Sequence, residues 1–172
     1  MAVVVVLGGL VLLVVASRDK GPDVPAGPPR GVEVFEVASR DHVDGAVEYP
    51  QRPPVGGPHA HVWQNCGVYR SPVPNETAVH SMEHGAVWLT YRPGLARNQV
   101  EELEDLADGR RYVLVSPFPG LPAPVVASAW GRQLSVSDAE DARLDRFVRA
   151  FEQGPHAPEP GAPCVGGVGS PR

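Results

Sequence analysis

Four of the six histidines fall within 26 residues, His59 and His61 in PHAHVW and His80 and His84 in HSMEHG, on a stretch that holds little else ionisable. Imidazole changes charge near neutral pH and is a common metal ligand, so this density points to metal chemistry. Two local conformations give two different sites. A helix over NETAVHSMEHG, capped by Asn75 and stopped by Gly85, places His80, Glu83 and His84 on one face at i, i+3 and i+4. That is the H-x-x-E-H pattern of the inverted zincins, in which two imidazoles hold Zn²⁺ and the Glu acts as general base on an activated water. Such a site needs a third protein ligand, and Glu152, His156 and Glu159 are the downstream candidates. It also requires a helix of barely two turns before a β-prone run, and peptidases of that class are much larger than this chain.

An extended segment instead projects His80, Met82 and His84 to one side by the two-residue period and turns Glu83 away. Two imidazoles and a thioether suit copper, placed ahead of zinc, and His59 and His61 at i, i+2 complete the site from a facing loop. A third reading makes the histidines structural, each bonded to the backbone of a Pro-rich loop that cannot bond to itself.

The elements that must carry these residues are unevenly distributed. VEVFEV at 32–37 alternates like a short strand, but the following run to Pro74 is broken by Pro and Gly every few residues and reads as a long ordered loop. AVWLTY at 86–91 reads as a strand, and Asn98 with Glu101 opens an amphipathic helix over 98–108. RYVLVSPF at 110–118 and VVASAWGRQLSV at 125–136 read as two more strands forming a hairpin-like pair. Ser137 with Glu140 then caps a second helix over 138–152. The expected fold is therefore α+β, a small mixed or antiparallel sheet with two helices on one face, in an order that thioredoxin-like topology shares in its later elements, although no CxxC is present.

With 172 residues and a formal charge of −5, the chain is one domain without the basic stripe that tracking a phosphate backbone requires, so nucleic acid is not an expected partner. No Walker or dinucleotide fingerprint calls for a nucleotide cofactor, and no G-x-S-x-G turn surrounds Ser81 or Ser116. Trp63, Trp88 and Trp130 read as packing aromatics. Asn75-Glu76-Thr77 matches a glycosylation sequon, a pattern common by chance.

Residues 1–16 carry no charge, and 1–17 read as an N-terminal membrane segment, an uncleaved anchor ahead of a signal peptide cut after Val14-Val15-Ala16. The run is short for a full span and lacks a basic n-region, which places the expected true start upstream. A Pro-rich linker at 18–30 leads to an extracytoplasmic globular domain over 31–153 and a Pro/Gly-rich tail over 154–172. Two cysteines behind an export-like segment suit an oxidising compartment, and a Cys66–Cys164 disulfide is expected to pin that tail.

The blocks PPVGGPH, NCGVYRSPVPNETAVHSMEHGAVWLTYRP, SPFPGLPAPVVASAWGRQL and PEPGAPCVGG resemble the bacterial domain-of-unknown-function 3105 family over about residues 30 to 167. The resemblance implies a membrane-anchored, typically actinobacterial protein with an extracytoplasmic domain, and it supplies no established activity. Members of that family often carry Leu in place of Met82, which moves weight from a thioether to His59, His80, Glu83 and His84. They more commonly read Thr-Ser where this chain has Val55-Gly56, which removes two hydroxyls near the expected site.

The expectation is an anchored domain that binds a transition metal through His59, His80 and His84, with Glu83, Met82 and His61 as further participants, and that does not turn over a substrate. The alternatives are an envelope domain whose braced loop is read by a protein partner, and a small zinc hydrolase.

Overall fold

The computed structural model describes residues 27–172. The membrane segment expected at 1–17 and most of the linker expected at 18–30 lie outside the described residues. Among the described residues no helix is long and apolar enough to cross a membrane.

The chain forms β1 (Glu33–Val34), β2 (Gly67–Val68), α1 (Asn75–Glu83), β3 (Val87–Tyr91), α2 (Arg97–Ala107), β4 (Val113–Pro117), β5 (Val125–Ala129), β6 (Arg132–Val136) and α3 (Arg143–Phe151). The six strands make one mixed sheet in the order β1-β6-β5-β3-β4-β2, so the α+β expectation holds. β3 and β4 are parallel and joined through α2, as a parallel pair requires a crossover. β5 and β6 return antiparallel.

The sheet is covered on both faces, which is why its central strands are buried along their whole length instead of alternating. Val87 and Leu89 of β3, Val113 and Val115 of β4, and Val125 and Ala127 of β5 pack with Leu103 of α2 and Leu144, Phe147 and Phe151 of α3. The opposite pleats, Trp88, Leu114 and Val126, pack with Ala78, Val79 and Met82 of α1. The two expected helices do share one face, and α1 covers the other.

Three expectations about elements need correction. β4 and β5 are not a hairpin, because β3 lies between them. The hairpin lies within 125–136, where Ala129 pairs with Arg132 and Trp130-Gly131 forms the two-residue turn. The strand expected at 32–37 is paired only at Glu33 and Val34. The caps also differ: α2 starts at Arg97 and α3 at Arg143, neither with a side-chain cap bond. Asp138 and Asp141 accept from the N–H groups of Glu140 and Arg143 and hold the approach to α3 as turns, taking the residues that a capping box would have used.

The tail is tied down as expected, by a Cys66–Cys164 disulfide with a Cα–Cα distance of 5.3 Å. It is also bonded beyond that point: Val168 N–H donates to the Trp63 carbonyl, and Asn65 bonds the tail backbone at Gly167 and Gly169.

Candidate metal centre

HSMEHG is helical up to Glu83, with His84 as C-cap and Gly85 in the left-handed region at φ 96°. That backbone conformation favours glycine, and a Cβ there would also crowd the Gln153 side chain and approach its Cα to 3.2 Å. Helical spacing puts His80, Glu83 and His84 on one face and sends Met82 to the other, where it is fully buried against the sheet. The extended reading with a Met82 ligand is therefore overturned. The backbone periodicity that brings the imidazoles together removes the thioether from them.

The PPVGGPH loop delivers His59. Gln133 donates to the Pro53 carbonyl at 2.9 Å and Gly131 N–H donates to the Val55 carbonyl at 2.7 Å, fastening the loop to the β5–β6 hairpin. Gly56, at φ 145°, lies so close to Val37 that a Cβ would approach its Cγ2 to 2.8 Å. The next residues form a parallel bridge between His59 and His42, in which His59 N–H donates to Asp41 and Val43 N–H to His59. The chain from 60 to 64 then lies along α1, with Gln64 N–H donating to Thr77 and the Ser81 hydroxyl donating to Gln64.

Loop and helix together bring one ligand atom each from His42, His59, His80 and Glu83 within 4.8 Å of one another. A tetrahedral zinc site with bonds of about 2.05 Å has ligands about 3.4 Å apart, so inter-ligand distances need shorten by about 1.4 Å at most to close the group. His59, His80 and Glu83 are buried, whereas His42 is half-exposed and forms the solvent side.

The hydrogen bonds fix the tautomers by elimination. His59 Nδ1 lies 2.9 Å from the Gly57 carbonyl, His80 Nδ1 2.7 Å from that of Ala60, and His84 Nδ1 2.7 Å from that of Pro163. A carbonyl only accepts, so each Nδ1 carries the proton and each neutral ring presents an Nε2 lone pair. These lone pairs converge. His80 and His84 face each other Nε2 to Nε2 at 3.0 Å, and His59 Nε2 stands 2.9 Å from Glu83 Oε2. That carboxylate contact is not aligned as a hydrogen bond, and His59 Nε2 is a fully buried polar atom without a partner. Backbone bonds at Nδ1 with Nε2 free are the arrangement that orients imidazoles toward a metal ion.

Burial pushes His80 down to about 4, the neighbouring His84, His59 and His42 adding to the shift while its bond to Ala60 opposes it. His80 is thus neutral, as a ligand must be, throughout the physiological range. In the metal-free chain its folded-state pKa lies below the ordinary 6.5, so the unfolded chain takes up the proton first as pH falls. The stability it contributes is complete above about pH 6.5 and is lost toward pH 4, by up to about 3 kcal/mol. Melting curves from pH 7.5 to 4 are expected to fall more steeply for the metal-free chain than for its His80→Gln variant; parallel curves would exclude His80 as the source.

The remaining expected residues fall outside the cluster. His61 is largely exposed, its Nε2 3.7 Å from Asp44, and meets only the outer ring of His42. His84 adjoins His80 without joining the group of four. Of the third-ligand candidates, Glu152 is taken by Arg110 at 2.9 Å and His156 packs on Phe151. Glu159 shares Arg40 with Glu83, at 3.8 Å from each, and its side chain is half-exposed. Sequence reasoning missed His42, whose place is set by its bridge to His59, a pairing with no local signal. Trp88 and Trp130 are core residues as expected, but Trp63 walls the cluster, 5.1 Å from the His84 ring and 5.7 Å from that of His80.

Residues 42–166 match the family described as Protein of unknown function (DUF3105), and the chain belongs to that family. No curated protein and no solved structure matches it.

Proposed function

We propose that this protein binds a divalent transition-metal ion through His59, His80, Glu83 and His42, on an extracytoplasmic domain held to the membrane by its N-terminal segment. The observation that carries the metal reading is the orphaned, fully buried Nε2 of His59 facing a carboxylate, beside two further Nε2 lone pairs pinned by backbone carbonyls. Acceptors converging without a donor are what a cation satisfies. With Met82 in the core the donor set holds no sulfur, which removes the case for copper(I) and leaves imidazole and carboxylate donors that suit zinc or copper(II). The disulfide and the uncharged run at residues 1–16 support the oxidising side of a membrane.

The hydrolase alternative has less support. Glu83, the base of the H-x-x-E-H pattern, is buried with one oxygen against His59 and the other toward Arg40, so it is placed as a ligand and not as a base facing water. The bracing alternative is favoured by one observation, that each of the three Nδ1 bonds ties down a loop or tail carbonyl. Metal ligation and bracing by the same rings are compatible, and metal content separates them directly.

Elemental analysis of the full-length chain, purified without a His-rich tag, is expected to give about one zinc or copper per chain in the wild type and none in a His59→Ala/His80→Ala variant. Equal, sub-stoichiometric metal in both after loading and dialysis would overturn the metal reading in favour of bracing.

A further inference from the structure

The segment that supplies the Pro163 carbonyl to His84 is held at both ends. Glu159 N–H donates to the Glu83 carbonyl at 2.9 Å, and the residue after Pro163 is Cys164, which is bonded to Cys66 through the disulfide and through Cys66 N–H to the Cys164 carbonyl at 2.7 Å. The acceptor that sets the His84 ring is therefore one residue from a covalent cross-link. The other end of that cross-link follows a residue that walls the cluster: Cys66 lies three residues after Trp63, the indole of which packs on the rings of His84 and His80. His84 in turn abuts the His80 ligand atom, Nε2 to Nε2, at 3.0 Å. The path from sulfur to ligand atom thus runs through one peptide unit, one hydrogen bond and one imidazole contact, with Cys164, His84 and His80 buried and Pro163 exposed.

Resting on the metal reading above, we infer that the metal affinity of the His/Glu cluster is linked to the oxidation state of the Cys66–Cys164 disulfide, the oxidised form holding the ion more tightly because it fixes the Pro163 carbonyl and hence His84. The reaction that opens the link is ordinary: a trialkylphosphine and water cleave the S–S bond, giving two thiols and the phosphine oxide. In a cell a dithiol protein would serve, its two thiols becoming a disulfide as Cys66 and Cys164 become thiols. His84 acts here as a positioning residue for His80. It does so by packing, its ring edge-on to that of His80 at 4.5 Å between centroids, while the outer-shell bond at His80 Nδ1 belongs to Ala60; losing a contact that orients a ligand is expected to cost about tenfold in metal affinity. By linkage, bound metal protects the disulfide from reduction in the same sense.

The test is a zinc titration of four full-length chains: wild type, Cys66→Ser/Cys164→Ser, His84→Ala, and the combination. Serine in place of both cysteines avoids the new thiolate ligands that reduction would expose. Removing the disulfide is expected to weaken Zn²⁺ binding by about tenfold or more in the wild-type background and by less than about threefold in the His84→Ala background. Equal affinity with and without the disulfide, or equal losses in both backgrounds, would overturn the linkage while leaving the metal site standing. Failure of the oxidised wild type to bind Zn²⁺ at all would instead overturn the metal reading on which the linkage rests. If the serine variant does not fold, the rate of phosphine reduction decides. Saturating Zn²⁺ is expected to slow it in the wild type and not in His84→Ala, and equal protection in both would overturn the linkage.

Discussion

Exchanging Glu83 for glutamine is expected to move two properties in opposite directions: the metal-free chain gains about 1 to 2 kcal/mol of stability, while its affinity for Zn²⁺ falls by at least about a hundredfold. The gain arises because the metal-free cluster is short of donors. The carbonyls of Gly57, Ala60 and Pro163 hold the three Nδ1 protons, so in a neutral ring the Nε2 of His59, His80 or His84 can only accept. A carboxylate also only accepts, and it stands 2.9 Å from the orphaned Nε2 of His59. Arg40 is 3.8 Å from the far oxygen and largely exposed, so it does not supply a donor on the His59 side. An amide of the same shape offers an N–H there and relieves the conflict. The affinity falls because the amide oxygen is a neutral, weaker ligand. The bracing alternative predicts the reverse sign for stability: if a protonated His59 were paired with Glu83, breaking that buried pair would cost about 3 to 5 kcal/mol. Denaturant melts of chelator-treated wild type and Glu83→Gln, beside zinc competition titrations, separate the two. A destabilised variant with unchanged zinc affinity would sink the metal assignment.

Loss of the Cys66–Cys164 cross-link is expected to produce the largest effect on stability alone. The bridge closes a loop across a sequence separation of 98, which in the chain-entropy account is worth about 4 to 5 kcal/mol through the unfolded state. For a domain of this size that corresponds to a fall in Tm of about 10 to 20 °C. The segment beyond Cys164 brings few apolar side chains to the core, and its Val165 and Val168 are exposed, so packing compensates little. The backbone bonds between 63–69 and 164–172 remain after the bridge is cut and keep the loss from exceeding that range. Thermal melts of the wild type against Cys66→Ser/Cys164→Ser, both in chelator, measure it. A change below about 1 kcal/mol would mean that the unfolded chain is already constrained around this loop.

Much of this architecture was legible in the sequence because it rests on short-range rules. The β-branched run at 87–91, the apolar spacing of Leu144, Phe147, Val148 and Phe151, and the turn chemistry around Pro93-Gly94 each specify an element locally, and the elements followed. The pairing of two cysteines followed from their number. Helix caps were less legible, because Asp138 takes the Glu140 N–H that the expected Ser137 cap would have bonded, and Asp141 takes that of Arg143, so turns occupy the approach and the helix starts later.

The site itself divides along the same line. His59, His80, Glu83 and His84 could be singled out from composition and spacing, since such a density of imidazoles is rare whatever the fold. Which of them meet could not. HSMEHG is compatible with a strand or a helix, and the choice is made by the apolar positions Ala78, Val79 and Met82, which have to cover Trp88, Leu114 and Val126 on the sheet face opposite α2 and α3. That packing forces the helix, buries Met82 and aligns His80 with Glu83. His42 enters through a bridge to His59 across a loop, and His84 is oriented by Pro163 from 79 residues away. By itself the sequence determined the ligand types and the elements that carry them, because both depend on neighbours a few residues apart. Only the tertiary structure decided which imidazoles converge and which nitrogen each presents, because those depend on backbone carbonyls brought in from distant parts of the chain.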